Sequence, residues 1–288
     1  MALWIDLTQQ AELFIVLAGV LGLLAGSFIN VVAYRLPIML ERRWANEARE
    51  VLGLPLQAHE RLNLAWPGSH CPRCGKAIRA WHNIPLLSYL LLGGRCAGCE
   101  ARISVRYPLV ELGGAVLAVL VAWQVGVGGP GLALMGLGWV LLALSVIDID
   151  RQLLPDVLVL PTLWLGLLLN AYGVRVPLFD AVLGAAVGYL SLWSVFWLFK
   201  LVTGKDGMGH GDFKLLALLG AWGGWQILPL TLLLASLLGA GAGLWLLVRR
   251  GAKLGSAMAF GPCLAIAGWI VLLWDDEIRT SYLHMITL

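Results

Sequence analysis

The stretch "FKLVTGKDGMGHGDFKLLALLGAW", residues 199–222, decides how the rest of the chain is read. Two apolar runs are broken by four glycines, two aspartates, a histidine and a lysine within 204–212. The flanking runs look built for lipid, where irregular backbone and ionisable groups are both expensive. Such a break therefore marks a functional site or an exit from the membrane.

The chain around it supports a membrane setting. Of its 288 residues, 60% are hydrophobic and only 13% are charged, whereas soluble domains carry about 25% charged residues. A soluble core of this size cannot hide that much apolar surface, so the sequence predicts an all-α polytopic membrane protein. Apolar runs lie near 11–33, 108–125, 131–149, 157–173, 178–200, 213–226, 228–248 and 258–274. A crossing helix needs about 20 apolar residues, which gives about eight transmembrane helices. The run 213–226 is short, and "GAWGGWQILP" offers a tight turn into the next.

Charge sets the orientation. The hydrophilic stretch 34–107 holds eleven of the twenty Lys and Arg residues, so the positive-inside rule makes it cytoplasmic. Alternation then places Arg151, Lys200, Lys205, Lys214, Arg249, Arg250 and Lys253 on the same side, with Arg175 and Arg279 opposite. Both termini fall outside. The first apolar run lacks a basic start and a cleavage site, so it reads as a retained span. The expected organisation is a first span (1–33), a cytoplasmic loop (34–107) and a membrane domain (108–288).

Within the loop, "CPRC" (Cys71, Cys74) and "CAGC" (Cys96, Cys99) are separated by twenty-one residues. Paired CxxC knuckles at this spacing point to a four-cysteine zinc site, with Gly75 and Gly98 supplying turn flexibility. Four thiolates leave no open position for water, so the zinc is structural. Redox pairs or unligated thiols are the competing reading. His70 and His82 are expected at the surface or in hydrogen bonds. Between the knuckles, "WHNIPLLSYLLLGGR" contains an apolar run too short to span, suited to a membrane interface through Trp81 and Tyr89. Cys263 reads as a small buried core residue.

Asp148 closes the third run in "LSVIDIDRQLLPD", and Asp212 opens the sixth. Two carboxylates brought together split into a general acid and a general base, the chemistry of an aspartic protease. Each also has a plain structural reading, Asp148 as an interface residue and Asp212 as a helix cap. Asp150 points about 200° from Asp148 on a helix and reads as a solvated end residue. Asp156 reads as a helix cap and Asp206 as solvated. Gly207, Gly209 and Gly211 are expected to give the backbone conformations denied to other residues and to let an extended peptide approach.

Five ordered segments resemble the bacterial type IV prepilin peptidases, bifunctional leader peptidases and N-methyltransferases of the GxGD aspartic protease class. They are "GSFINVVAYRLP" (26–37), the cysteine-bearing stretch 71–112, "IDIDRQLLPDVLVLP" (147–161), "GMGHGDFKLLALLGAW" (207–222) and "FGPCLAIAG" (260–268). The resemblance implies that Asp148 and Asp212 are the catalytic aspartates and that Cys71, Cys74, Cys96 and Cys99 hold zinc. Gly94 matches a position associated with methylation. It further implies cleavage of the basic leader of a prepilin or pseudopilin at the cytoplasmic face of the bacterial inner membrane. The new N-terminal residue, usually phenylalanine, is then methylated from S-adenosylmethionine. No dinucleotide-type glycine fingerprint marks a site for that donor, and a nucleic acid partner is not expected. A proton-coupled transporter using the same aspartates and a zinc-bearing scaffold without catalysis are the alternatives.

Overall fold

The computed structural model describes residues 7–126, 128–205, 207–250, 259–275 and 277–278. The readings of Asp206, Lys253 and Arg279 lie outside the described residues. Among the described residues the regular structure is helical, and strand-like pairing is limited to two isolated bridges, His70–Ala77 and Arg95–Arg102. The helices are α1 (Leu7–Val51), α2 (Leu87–Leu91), α3 (Arg106–Gln124), α4 (Gly129–Arg151), α5 (Asp156–Ala171), α6 (Leu178–Thr203), α7 (His210–Gly223), α8 (Leu228–Arg250) and α9 (Gly261–Leu273).

Each of the eight apolar runs forms a helix. Five described helices are long and apolar enough to cross a membrane, which makes this an integral membrane protein. The other three are shorter: α5 has 16 residues, α7 has 14 and α9 has 13. At ~1.5 Å per residue they measure about 20–24 Å, less than the ~30 Å hydrocarbon core. For α7 the reason is its surroundings. Every residue from Asp212 to Gly223 except Lys214 is buried, and α5, α6 and α9 pack around it. A helix sheltered by protein satisfies its backbone internally, and its length is not set by the bilayer.

The chain divides into two compact units, Met1–Ala143 and Leu144–Leu288, with α4 running from one into the other. In the first unit, α1 and α3 meet backbone to backbone. A Cβ at Gly22 would lie 2.5 Å from the Gly114 carbonyl oxygen, and one at Gly114 would lie 2.5 Å from that of Gly22. Lipid tails are as apolar as leucine, so helices associate in a membrane through close packing of small residues. Asn30 adds a polar tie, its Nδ2 donating to the Tyr107 carbonyl at 3.1 Å.

The helix α1 does not stop where the apolar run ends. It passes through Pro37 and continues to Val51, 45 residues in all and about 68 Å long at ~1.5 Å per residue. The chain then returns along it. Arg49 Nε donates to the Pro55 carbonyl (2.7 Å), and Asn46 exchanges two hydrogen bonds with the Gln57 backbone. Arg42 reaches Glu60, and buried Arg35 reaches Asn63 at 3.0 Å. The rungs at 35, 42, 46 and 49 recur at seven, four and three residues, one face of a helix.

In the second unit the same small-residue logic joins α6 to α7. A Cβ at Gly188 would lie 2.8 Å from the Leu216 carbonyl oxygen, and Gly184 packs directly on the backbone of Gly220. Gly166 of α5 makes room for the Trp222 ring, whose Nε1 donates to the Thr162 carbonyl at 2.9 Å. Asn170 donates to the Ala221 carbonyl and accepts from the Arg175 and Val176 amides. These hydrogen bonds fix the far end of α7 and thereby the placement of its first turn.

Candidate active site and metal site

Asp148 sits in the last turn of α4 and Asp212 in the first turn of α7. Both are buried, with 6% and 7% exposure. Asp148 is close enough for its charge to act on Asp212, so the fold brings these two carboxylates together. The period of α4 separates the neighbouring aspartates: Ile147 and Asp148 are buried, whereas Ile149 and Asp150 are exposed.

A third segment completes the pair. The Gly261 amide, opening α9, donates to Asp148 Oδ2 at 3.0 Å. Cys263, two residues on, is buried and lies where both carboxylates act on it electrostatically. Between the two aspartates in sequence, Leu154 packs against both Gly211 and Gly261.

The glycines of "GMGHGD" do something other than the sequence suggests. Gly209 caps α7 at φ −76° and ψ 142°, a backbone open to any residue, and neither Gly207 nor Gly211 has a positive φ. What two of them provide is room for neighbours inside the protein. A Cβ at Gly207 would lie 2.6 Å from the Phe199 ring, and one at Gly211 would lie 2.8 Å from Leu154 Cβ. Gly209 differs, because a Cβ there would meet only Asp212 Oδ2, at an ordinary 3.7 Å. His210 is exposed and rests its ring between Phe196 and Phe213, at centroid distances of 5.0 and 5.4 Å.

Asp156 does not cap α5 through its side chain; Pro155 holds the cap position. Its carboxylate instead receives Lys214 Nζ at 2.8 Å on each oxygen. The pair ties the start of α5 to the second turn of α7, two residues beyond Asp212. Both partners are partly exposed, so its worth is about 0–1 kcal/mol.

In the first unit the four cysteine sulfurs lie within 4.8 Å of one another, with Cys71 and Cys99 at 3.8 Å. A tetrahedral zinc with ~2.3 Å bonds to sulfur requires sulfurs about 3.8 Å apart, so the donor set fits. The two knuckles repeat with an offset of 25 residues. Cys71 N donates to the Lys76 carbonyl and Cys96 N to that of Ala101. Bridges close both, at His70–Ala77 and Arg95–Arg102. Gly75 turns the first at φ +68°, and Glu100 turns the second at φ +55°. Gly98 therefore does not supply the turn. Its amide donates to Cys96 Sγ at 3.3 Å, and its missing side chain leaves room for Lys76.

The thiols have divergent acidities. The Cys74 and Arg73 amides hold Cys71 down to about 6. Although the Ala101 amide acts the other way, lost hydration and the three neighbouring thiols push Cys99 up to about 11. Four thiolates repel one another at this distance, and a bound dication removes that conflict. His70 bonds the Gly68 carbonyl through Nδ1 (2.9 Å) and His82 packs edge-on to Trp81, so neither histidine joins the sulfur cluster.

Gly94 follows α2 at φ +69°, and a Cβ there would lie 2.9 Å from Tyr89 Oη. Its amide donates to the Tyr89 carbonyl, and its carbonyl accepts from Ile103 N. A side chain at 94 would strain the backbone and displace Tyr89. The same loop is anchored by Glu111 of α3, whose carboxylate accepts the Leu86 amide at 2.8 Å.

Comparison with known proteins shows the family. Residues 20–125 match the bacterial peptidase A24 N-terminal domain, and residues 135–244 match the type IV leader peptidase family. A prepilin leader peptidase/N-methyltransferase of Pseudomonas putida is 64% identical over 286 residues, covering 99% of both chains. The chain belongs to the type IV leader peptidase family. Other members of that name include a Pseudomonas aeruginosa protein, 61% identical with 94% of both chains covered. One from Neisseria gonorrhoeae is 50% identical with 95% of both covered. No solved structure matches the chain. For this leader peptidase family member, the sequence reading missed Gly261, Leu154 and Glu111. Gly261 and Leu154 carry no polar side chain, and nothing local in the sequence distinguishes Glu111 from a surface acid.

Proposed function

We propose that this protein is a prepilin leader peptidase and N-methyltransferase, with Asp148 and Asp212 as the catalytic pair. The observation that carries the peptidase reading is two buried carboxylates on different helices, close enough to interact. In such a pair one carboxylate accepts a proton from water, and the oxygen of that water attacks the scissile carbonyl. The other, protonated, donates as the carbon–nitrogen bond breaks and the amine leaves. The two groups titrate as one dyad. No serine or cysteine nucleophile is needed.

The substrate is a type IV prepilin or pseudopilin with its apolar helix in lipid and its basic leader at the cytoplasmic face of the inner membrane. The basic loop 34–107 supports that orientation through the positive-inside rule. Peptidase chemistry belongs to 108–288 and methyl transfer draws on the loop 34–107. Cys71, Cys74, Cys96 and Cys99 hold a structural zinc that shapes the loop. S-adenosylmethionine supplies a methyl group on a sulfonium, which passes to the newly exposed amine. Gly94 serves methylation by keeping the turn after α2 tight against Tyr89.

The test is reconstitution in lipid with a prepilin and methyl-labelled S-adenosylmethionine, reading product mass and label. Wild type should yield a leaderless, singly methylated product. Asp212→Asn should lose cleavage by at least ~10²-fold, the scale of a positioned acid–base group, while still inserting in the membrane. Full cleavage by that variant overturns the assignment.

A further inference from the structure

The first turn of α9 lacks a cap from its own segment. Phe260 occupies the cap position without a side-chain hydrogen bond, and Pro262 follows at once. Helix N-termini leave their first amides unsatisfied and favour a carboxylate beside them. Here the carboxylate comes from 113 residues away, where Asp148 Oδ2 accepts the Gly261 amide at 3.0 Å. Asp148 thus fills the place of the missing cap.

The same approach also limits the space at residue 261. A Cβ on residue 261 would lie 2.6 Å from Asp148 Oδ2, 3.2 Å from its Cγ and 3.3 Å from Leu154 Cδ2. Gly261 has no positive φ, so the requirement for glycine is one of space. The carboxylate occupies the volume that any other residue's side chain would take. This segment lies beyond residues 135–244, the part matched by the leader peptidase family model.

We propose that Gly261 is a positioning residue of the peptidase site, fixing the Asp148 carboxylate by its amide and admitting it by lacking a side chain. The inference rests on the peptidase reading above. Asp148 stands in the last turn of α4, and the Gly261 amide reaches its side chain from another helix. The amide pins one carboxylate oxygen and leaves the other for water. A pair of carboxylates works only at a set separation, and a displacement of ~1 Å costs about 10²-fold in rate. Leu154, packed on Gly261 and on Gly211 beside the other aspartate, backs the same arrangement from the apolar side.

The experiment compares Gly261→Ala with Gly268→Ala in the full-length protein in lipid. Gly268 lies on the same helix, and a side chain there would collide with Leu219 rather than with a carboxylate. Cleavage of a prepilin gives kcat and KM, and methylation of a pre-cleaved pilin reports folded enzyme. Gly261→Ala should lower kcat about 10²-fold, with KM and methylation within about threefold of wild type. Gly268→Ala should keep its kcat per folded molecule. A Gly261→Ala kcat within threefold of wild type, or an equal loss in both variants, overturns the proposal. If Gly261→Ala alone loses methylation, Leu154→Ala is added to relieve the apolar clash. The double variant should regain methylation but not cleavage, and recovery of wild-type kcat overturns the proposal. Asp148→Asn is run in parallel, and if it cleaves normally the peptidase assignment fails instead.

Discussion

Leu154 fills the space that a side chain at Gly211 would need. A Cβ at 211 would lie 2.8 Å from the Leu154 Cβ, with Cδ1 at 3.1 Å. Because the obstacle is the root of the side chain, rotation of Leu154 does not relieve it. The residue before Asp212 is thereby locked to the segment that follows Asp148. Gly211→Ala should cost about 1–3 kcal/mol, the usual penalty of overpacking, and slow cleavage. Leu154→Ala removes the remoter atoms, which lie at 3.1 and 3.3 Å, so the double variant should recover part of the loss. A double-mutant cycle on thermal unfolding in detergent should give a coupling of at least ~0.5 kcal/mol. Strict additivity would contradict the wedge.

Gly209 is the one glycine of its motif whose missing side chain leaves unfilled space beside a carboxylate. Alanine fits there in the resting protein, at 3.7 Å from Asp212 Oδ2 and with an ordinary backbone. Gly209→Ala should leave thermal stability within about 0.5 kcal/mol of wild type. Its kcat/KM for prepilin cleavage should still fall at least ~10-fold, about 1.4 kcal/mol, because the substrate backbone needs that gap. Wild-type kcat/KM would show that the peptide arrives by another path.

The cysteine knuckles predict a separation of the two activities. Purified protein should carry about one zinc per chain by metal analysis, as a four-sulfur site demands. Replacing Cys71, Cys74, Cys96 and Cys99 by serine should remove the metal and abolish methylation while cleavage persists within about tenfold, since the aspartates belong to a different compact unit. Equal loss of both activities would assign the metal a role in folding the whole chain.

Hydropathy alone located the eight long or buried helices, and carboxylates at the ends of apolar runs singled out Asp148 and Asp212. Both signals are local, and membrane burial makes them strong. Signals carried by space or by distant partners were silent. The Gly261–Asp148 bond spans 113 positions, and nothing in "FGPC" announces a donor. The glycines of 207–211 suggested backbone freedom, yet two of them are needed for volume. The knuckle repeat was masked because Glu100 stands where its counterpart is Gly75. The extension of α1 was hidden differently. Residues 41–51, "ERRWANEAREV", are rich in Glu, Arg and Ala, strong helix formers that an apolar-run criterion passes over.

That extension and the segment returning along it form a vernier. From Arg35 to Arg49 the helix rises about 21 Å at ~1.5 Å per residue. From Asn63 back to Pro55 the extended chain covers at most about 26 Å at ~3.3 Å per residue. The rungs between them stay in register only because two scales with different divisions span nearly equal lengths. An insertion in one limb therefore has no counterpart of equal length in the other. Two turns added to the helix call for about three residues in the return, and length changes here must come as unequal pairs.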